Sequence, residues 1–158
     1  MLFVFEMANN HQGNVEHGCR IISDFAKLVK DNKITAAIKF QFRQLDTFIH
    51  NDFKKSDLKY VKRFNNTRLS IEDFRILANH AKSKGLLTMA TPFDNESLAW
   101  FPELDIDIVK IASCSSDDWP LLREVSKINR RIIISTAGIE FDTLDKVYNL
   151  FKKENRDF

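Results

Sequence analysis

The 158 residues are 44% hydrophobic and 29% charged, the balance of one globular domain long enough to bury a core. A net charge of +2 with scattered basic residues argues against a nucleic-acid partner, and no apolar run reaches the roughly 20 residues of a membrane span or forms a signal-type leader. The two cysteines, Cys19 and Cys114, fit no C-x-x-C spacing and read as reduced thiols of a cytoplasmic protein.

The chain opens with an apolar run, residues 2–6 "LFVFE", that ends in an acid, Glu6. Asn9, Asn10, His11, Gln12 and Gly13 follow. Residues 15–31 then space Cys19, Ile22, Phe25, Ala26 and Val29 as one helix face, with His17 outside it. A second strand, 36–41 "AAIKFQ", carries Lys39 and Gln41 two apart and so on one side. The segment from 42 to 69 is long enough to serve as a lid or specificity element. It includes a short helix in "SDLKYVKRF", and its Lys54, Lys55, Lys59, Lys62 and Arg63 read, like His50, as solvated surface.

Ser70 caps the next helix, with Asp73 at its third position and Leu69 and Phe74 at staple spacing. Phe74, Leu77, Ala78 and Ala81 form its buried stripe, His80 faces out, and Gly85 ends it. The third strand, 86–91 "LLTMAT", leads through Thr91 and Phe93 to Asp94, an N-cap for a short helix over about 95–101. The fourth, 106–112 "IDIVKIA", holds Lys110 and is followed by Ser113 and Cys114, the latter with nothing nearby to activate its thiol. A helix after Asp118 turns Leu121, Leu122, Val125 and Ile128 inward. The fifth strand, 131–136 "RIIIST", ends in Ser135 and Thr136, and a last helix after Asp142 carries Leu144, Val147, Tyr148 and Phe151. Trp100 and Trp119 read as packing residues.

Near-continuous apolar strands alternating with helices imply a parallel sheet buried on both faces. A β/α barrel and an open doubly wound sheet share that order. The phosphate-binding glycine loops of open nucleotide-binding sheets are absent from a chain with four glycines. Every strand finishes in polar groups. A lysine inside an apolar strand is costly unless it is paired or meets a ligand, and two strands carry one. Glu6, Lys39, Gln41, Thr91, Lys110, Ser113 and Ser135, with Asn10 and His11, would suit a small anion bearing phosphate or carboxylate at the strand C-termini. Plainer roles stand beside this one: a Glu6–Lys39 pair, turn roles for Ser135 and Thr136, and a capping or supporting role for His11.

At these strand ends the sequence resembles the N-acetylneuraminate (sialic acid) synthase family. The matching pieces are "FEMANNHQGN", "AAIKFQ", "TPFD", "VKIAS" followed by "DWPLL", and "IIIST", in the order and spacing of that family's first five barrel strands. The resemblance implies a parallel β/α (TIM-type) barrel, incomplete here at about five of eight units, with residues 1–158 as one domain. It implies condensation of phosphoenolpyruvate with an N-acetylated hexosamine such as N-acetylmannosamine, giving a nonulosonic acid and phosphate. By position Glu6 matches the catalytic glutamate, and Lys39 and Lys110 match phosphoenolpyruvate-binding lysines. Thr91, Ser113 and Ser135 match hydroxyls that hold phosphate and carboxylate. Asn10 and His11 match the Asn-His pair of the family's first loop, and with Gln41 they are candidate substrate contacts.

The family uses a divalent metal, manganese or magnesium, that polarises the sugar aldehyde. Its metal-binding histidines and antifreeze-like domain lie on later segments, so the resemblance implies a partial chain, without metal ligands of its own and inactive alone. The fifth strand reads "STAG" where Ser-Thr-Gly is commoner. A related 3-deoxy-sugar-acid synthase would need more strand-end arginines than Arg43, which favours an uncharged acceptor. A non-catalytic binding or assembly module is the other alternative. Open sheet edges imply self-association into a homo-oligomer.

Overall fold

A computed structural model describes residues 1–153; the end of the expected 1–158 domain lies outside the described residues. Five parallel strands, β1 (Leu2–Glu6), β2 (Thr35–Phe42), β3 (Leu87–Pro92), β4 (Ile108–Ile111) and β5 (Arg131–Ile134), lie side by side in chain order. This is the order of consecutive β/α barrel units, and the sheet curls as part of a TIM-type barrel.

The register sorts the side chains by parity. Glu6 pairs with Lys39, Lys39 with Met89, Gln41 with Thr91, and Lys110 with Ile133. On the same face as these polar groups, Ala37, Met89 and Ile108 form a small apolar layer with Leu2 and Ile133. The alternate residues, among them Ile38, Phe40, Phe42, Ala90, Val109, Ile111 and Ile132, face the helices in the main core. Burial on both faces of β2, β3 and β4 explains why these strands read as near-continuous apolar runs.

The helices are α1 (Val15–Asn32), α2 (Leu45–Phe48), α3 (Lys59–Asn66), α4 (Ile71–Ser83), α5 (Asn95–Leu98), α6 (Trp100–Glu103), α7 (Trp119–Lys127) and α8 (Phe141–Lys153). Asn14 caps α1 through the His17 N–H at 2.8 Å. Gly18 lets α1 press against α4: a Cβ there would lie 2.7 Å from Leu77 Cδ2. The capping box on α4 is complete, with Ser70 Oγ accepting from Asp73 N–H and Asp73 Oδ2 accepting from Ser70 N–H. Gly85 follows α4 at φ +79, a left-handed conformation that favours glycine.

Five expectations need correction. The helix expected over 95–101 is two one-turn helices, α5 and α6, and Pro102 sits in the first turn of α6, where its missing N–H costs little. The fourth strand starts at Ile108, not 106. Asp107 Oδ2 accepts from Thr88 N–H and Oγ at 2.8 and 2.7 Å, so side-chain bonds replace the ladder there. The fifth ends at Ile134, although Ser135 N–H still donates to Ile111 O at 3.0 Å. His80 is not a free surface residue: its Nε2 lies 2.8 Å from Ser23 Oγ and joins α4 to α1. The 42–69 segment folds as α2, a 3-10 turn at Asn51–Phe53, and α3, which begins three residues later than the expected helix.

Candidate active site at the strand ends

The backbone turns sharply as β1 ends. Ala8 adopts φ 45, and its N–H donates to Glu6 Oε1 at 3.0 Å. The other carboxylate oxygen accepts from the Lys39 ammonium on the neighbouring strand. The two contacts fix the carboxylate from both sides. Glu6 remains 46% exposed while Lys39 is only 12% exposed, so the acid faces the open mouth and the lysine stands behind it.

Lys110 stands two strands away, about 10 Å across the sheet. Its ammonium donates to Ser135 Oγ at 2.6 Å and to Ile111 O at 2.7 Å. Burial, reinforced by the charge of Lys39, pushes the Lys110 pKa down, against the opposing pull of Glu6 and Cys114. Between the two lysines, on β3, Thr91 is 1% exposed and its Oγ1 is buried without a partner among the described residues. Ser113 opens a one-turn 3-10 helix after β4 and is exposed, as is Cys114.

The first loop supplies a second group. His11 is buried, with Nδ1 accepting from Gly13 N–H at 3.1 Å, which leaves the ring proton of the neutral form on Nε2. Burial lowers its pKa, and His17 adds to the effect. Asn10 is exposed at the loop tip. Gln41 Oε1 accepts from Arg43 Nη2 at 2.7 Å.

The geometry therefore brings Glu6, Lys39, Thr91, Lys110 and Ser135 to the C-terminal end of one sheet, with Gln41 beside them. His11 and Asn10 belong to the adjoining loop, and His11 shares a small cavity with Asn9, Gln41 and Arg43. The Glu6–Lys39 ion pair read as a structural possibility does form, at the mouth itself. Asp94 is the N-cap of α5, accepting from Ser97 N–H at 2.6 Å, and it also accepts from Gln44 N–H.

Arg43 is the arginine that the sequence places just past the C-terminal end of a strand. Its guanidinium carbon lies 4.0 Å from the Phe93 ring centre, 4.7 Å from Phe64 and 5.9 Å from Phe48. Burial lowers its pKa to about 10, against the charges of Cys114, Asp94 and Glu6. Its Nε is buried and donates to nothing among the described residues. The signal in the sequence is the spacing Lys39, Gln41, Arg43, which continues one side of β2 past its end; the three phenylalanines come from distant segments and could not be foreseen as neighbours.

Among the described residues no three His, Cys, Asp or Glu side chains converge to hold a metal ion. Nor is any helix among them long and apolar enough to cross a membrane.

The NeuB family profile matches residues 29–158. The N,N'-diacetyllegionaminic acid synthase of Campylobacter jejuni is 28% identical over 162 aligned positions, covering 96% of this chain and 47% of the relative. A candidate spore coat polysaccharide biosynthesis protein E from Chromobacterium violaceum superposes with a TM-score of 0.94 at 43% identity, covering 99% of this chain and 47% of that one. The N-acetylneuraminic acid (sialic acid) synthetase of Leptospira borgpetersenii, in complex with citrate, superposes with a TM-score of 0.83 at 26% identity, covering 99% and 51%. The chain thus spans about half the length of the proteins it matches.

Proposed function

The chain belongs to the NeuB family, and from that premise we propose that its strand ends form the phosphoenolpyruvate half of a nonulosonic-acid synthase site. The observation that carries this reading is the buried hydroxyl of Thr91, without a partner among the described residues and set between Lys39 and Lys110. A buried polar atom without a partner costs stability unless a ligand fills the place, and two flanking ammonium groups select an anion. The names of the relatives, legionaminic acid synthase and sialic acid synthetase, agree with this assignment.

In this reading the phosphate and carboxylate of phosphoenolpyruvate lie across β2 to β5, against Lys39, Thr91, Lys110, Ser113 and Ser135. The methylene carbon forms a bond to the aldehyde carbon of an open-chain N-acetylated hexosamine, whose oxygen takes up a proton. The enol carbon becomes electron-poor, water adds to it, and Glu6 accepts the proton that water gives up. The carbon–oxygen bond to phosphate then breaks as the added hydroxyl becomes the keto group and passes its proton to the departing phosphate, whose charge the lysines balance. Asn10, His11 and Gln41 border the acceptor. The described residues do not compose the divalent-metal site expected of the family, and the steps assigned to this chain use its own side chains only.

Calorimetric titration of the 158-residue chain with phosphoenolpyruvate tests the reading. Binding is expected, weakened about tenfold or more by Lys110→Gln, as for loss of a charge-assisted hydrogen bond. Equal affinities for the two proteins, with the variant folded, would rule Lys110 out of the site.

A further inference from the structure

Five of the arginines in this chain divide into two sets. Arg68, Arg75 and Arg130 each reach a carboxylate, on Asp46, Glu103 and Asp105 respectively. Arg43 and Arg63 form no ion pair among the described residues, and they line one groove. That groove leaves the strand ends at Gln41, passes Arg43 and Asn9, and runs out between the first loop and α3 along Tyr60 and Arg63.

The surroundings of Arg43 decide what it can take. Phenylalanine rings pack around its guanidinium, and one Nη is spent on Gln41. The rings offer no acceptor for the N–H groups that remain, Nε among them. A fork of N–H groups with no carboxylate of its own is suited to a planar or tetrahedral oxyanion. The adjoining cavity of about 30 Å³ has room for a water-sized group. Arg63, exposed and with its guanidinium 5.6 Å from the Tyr60 ring centre, adds a second cation on the outer wall.

We propose that the groove between Arg43 and Arg63 is a specificity site for the far end of the acceptor, which carries a phosphate or a carboxylate. This revises the uncharged acceptor expected from the sequence, and it rests on the synthase reading above. Arg43 stands four residues beyond Lys39, just past the end of β2 and about 13 Å along the backbone, so this second anion is held away from the reacting end. Gln41, shared by the groove and the strand-end site, separates the two regions. The neutral alternative, in which the rings hold Arg43 only for packing, leaves Arg63 and the open groove without a role.

The test compares three acceptors on the 158-residue chain by calorimetry, with and without saturating phosphoenolpyruvate: N-acetylmannosamine, its 6-phosphate and its 6-carboxylate. At least one charged sugar is expected to bind about tenfold tighter than the neutral one, and which of them does so identifies the anion. Arg43→Gln and Arg63→Gln should each erase most of that preference while leaving phosphoenolpyruvate affinity within about twofold. Equal affinities for all three sugars, no binding of either charged sugar, or a preference that survives both substitutions overturns the proposal. Should Arg43→Gln not fold, Arg63→Gln, on an exposed helix face, decides the question together with the salt dependence of the preference; insensitivity to both overturns it. A chain that ignores phosphoenolpyruvate yet keeps the sugar preference overturns the synthase reading and leaves the anion groove standing.

Discussion

Thr91 carries a hydroxyl that folding buries and leaves without a partner among the described residues. Its replacement by valine removes a desolvated polar atom, so Thr91→Val should melt at or slightly above the parent temperature, a gain of up to about 1 kcal/mol. The same change should weaken phosphoenolpyruvate binding about tenfold. A variant that is destabilised with unchanged affinity would make Thr91 a packing residue. Lys110 bears the complementary signature. Burial sets its folded pKa below the ordinary 10.5. Between those two values the unfolded chain holds more protons, so Lys110's contribution to stability rises with pH across that window. An anion beside the ammonium favours the charged form, so phosphoenolpyruvate binding at a pH inside that window should draw in a proton. Binding heats in buffers of different ionisation enthalpy read that uptake, and Lys110→Gln should remove it. Glu6, pinned by Ala8 N–H and Lys39, is placed to handle a proton and not to anchor phosphate. In a protein extended to the length of its relatives, Glu6→Gln should abolish turnover with phosphoenolpyruvate affinity largely kept. Unchanged rates would remove it from the chemistry.

Helices and strands whose cause is local could be read from the sequence; those settled by distant contacts could not. Ser70, Asp73, Leu69 and Phe74 announce the start of α4 within six residues, and the structure closes that capping box and buries both staple residues. By contrast β4 loses its first turn of ladder to Asp107, whose partner Thr88 is 19 residues away. The polar strand ends were readable because parity along a buried strand places Lys39 and Gln41 together. The cage around Arg43 was not, because Phe48, Phe64 and Phe93 meet it only after α2, α3 and β3 are assembled. The α1–α4 contact is another such case. Gly18→Ala gains up to about 1 kcal/mol of helix propensity. It also drives a methyl group toward Leu77, a fully buried side chain 2.7 Å away, and toward His11 Cβ at 3.4 Å. Overpacking of that kind costs about 1–3 kcal/mol, so a net loss is expected in thermal denaturation. A stabilised variant would mean that Leu77 has room to turn aside.

The whole sheet has two unpaired edges among the described residues, the outer sides of β1 and β5. Phe3 and Val4 on β1 remain 41% and 42% exposed, and Phe141 and Tyr148 on α8 are exposed too. Open strand edges with apolar neighbours recruit further strands or further copies. The 158-residue chain should therefore associate at micromolar concentration in sedimentation experiments; a single monomeric species that binds no hydrophobic dye would show that these edges are not adhesive. The parallel order β1 to β5 and the polar rim on one end of it could be foreseen from alternating apolar runs and their terminal residues. The number of units around the barrel is not a local property, and the family resemblance supplied it.

The central claim is that this rim binds phosphoenolpyruvate, and backbone heteronuclear NMR during a titration with that ligand tests it most directly. The account predicts saturable shifts at Glu6, Lys39, Gln41, Thr91, Lys110, Ser113 and Ser135, all at the C-terminal ends of the strands, with the opposite ends near Leu2, Thr35 and Arg131 unmoved. Shifts concentrated at those opposite ends, or a spectrum unchanged at millimolar ligand, would contradict it.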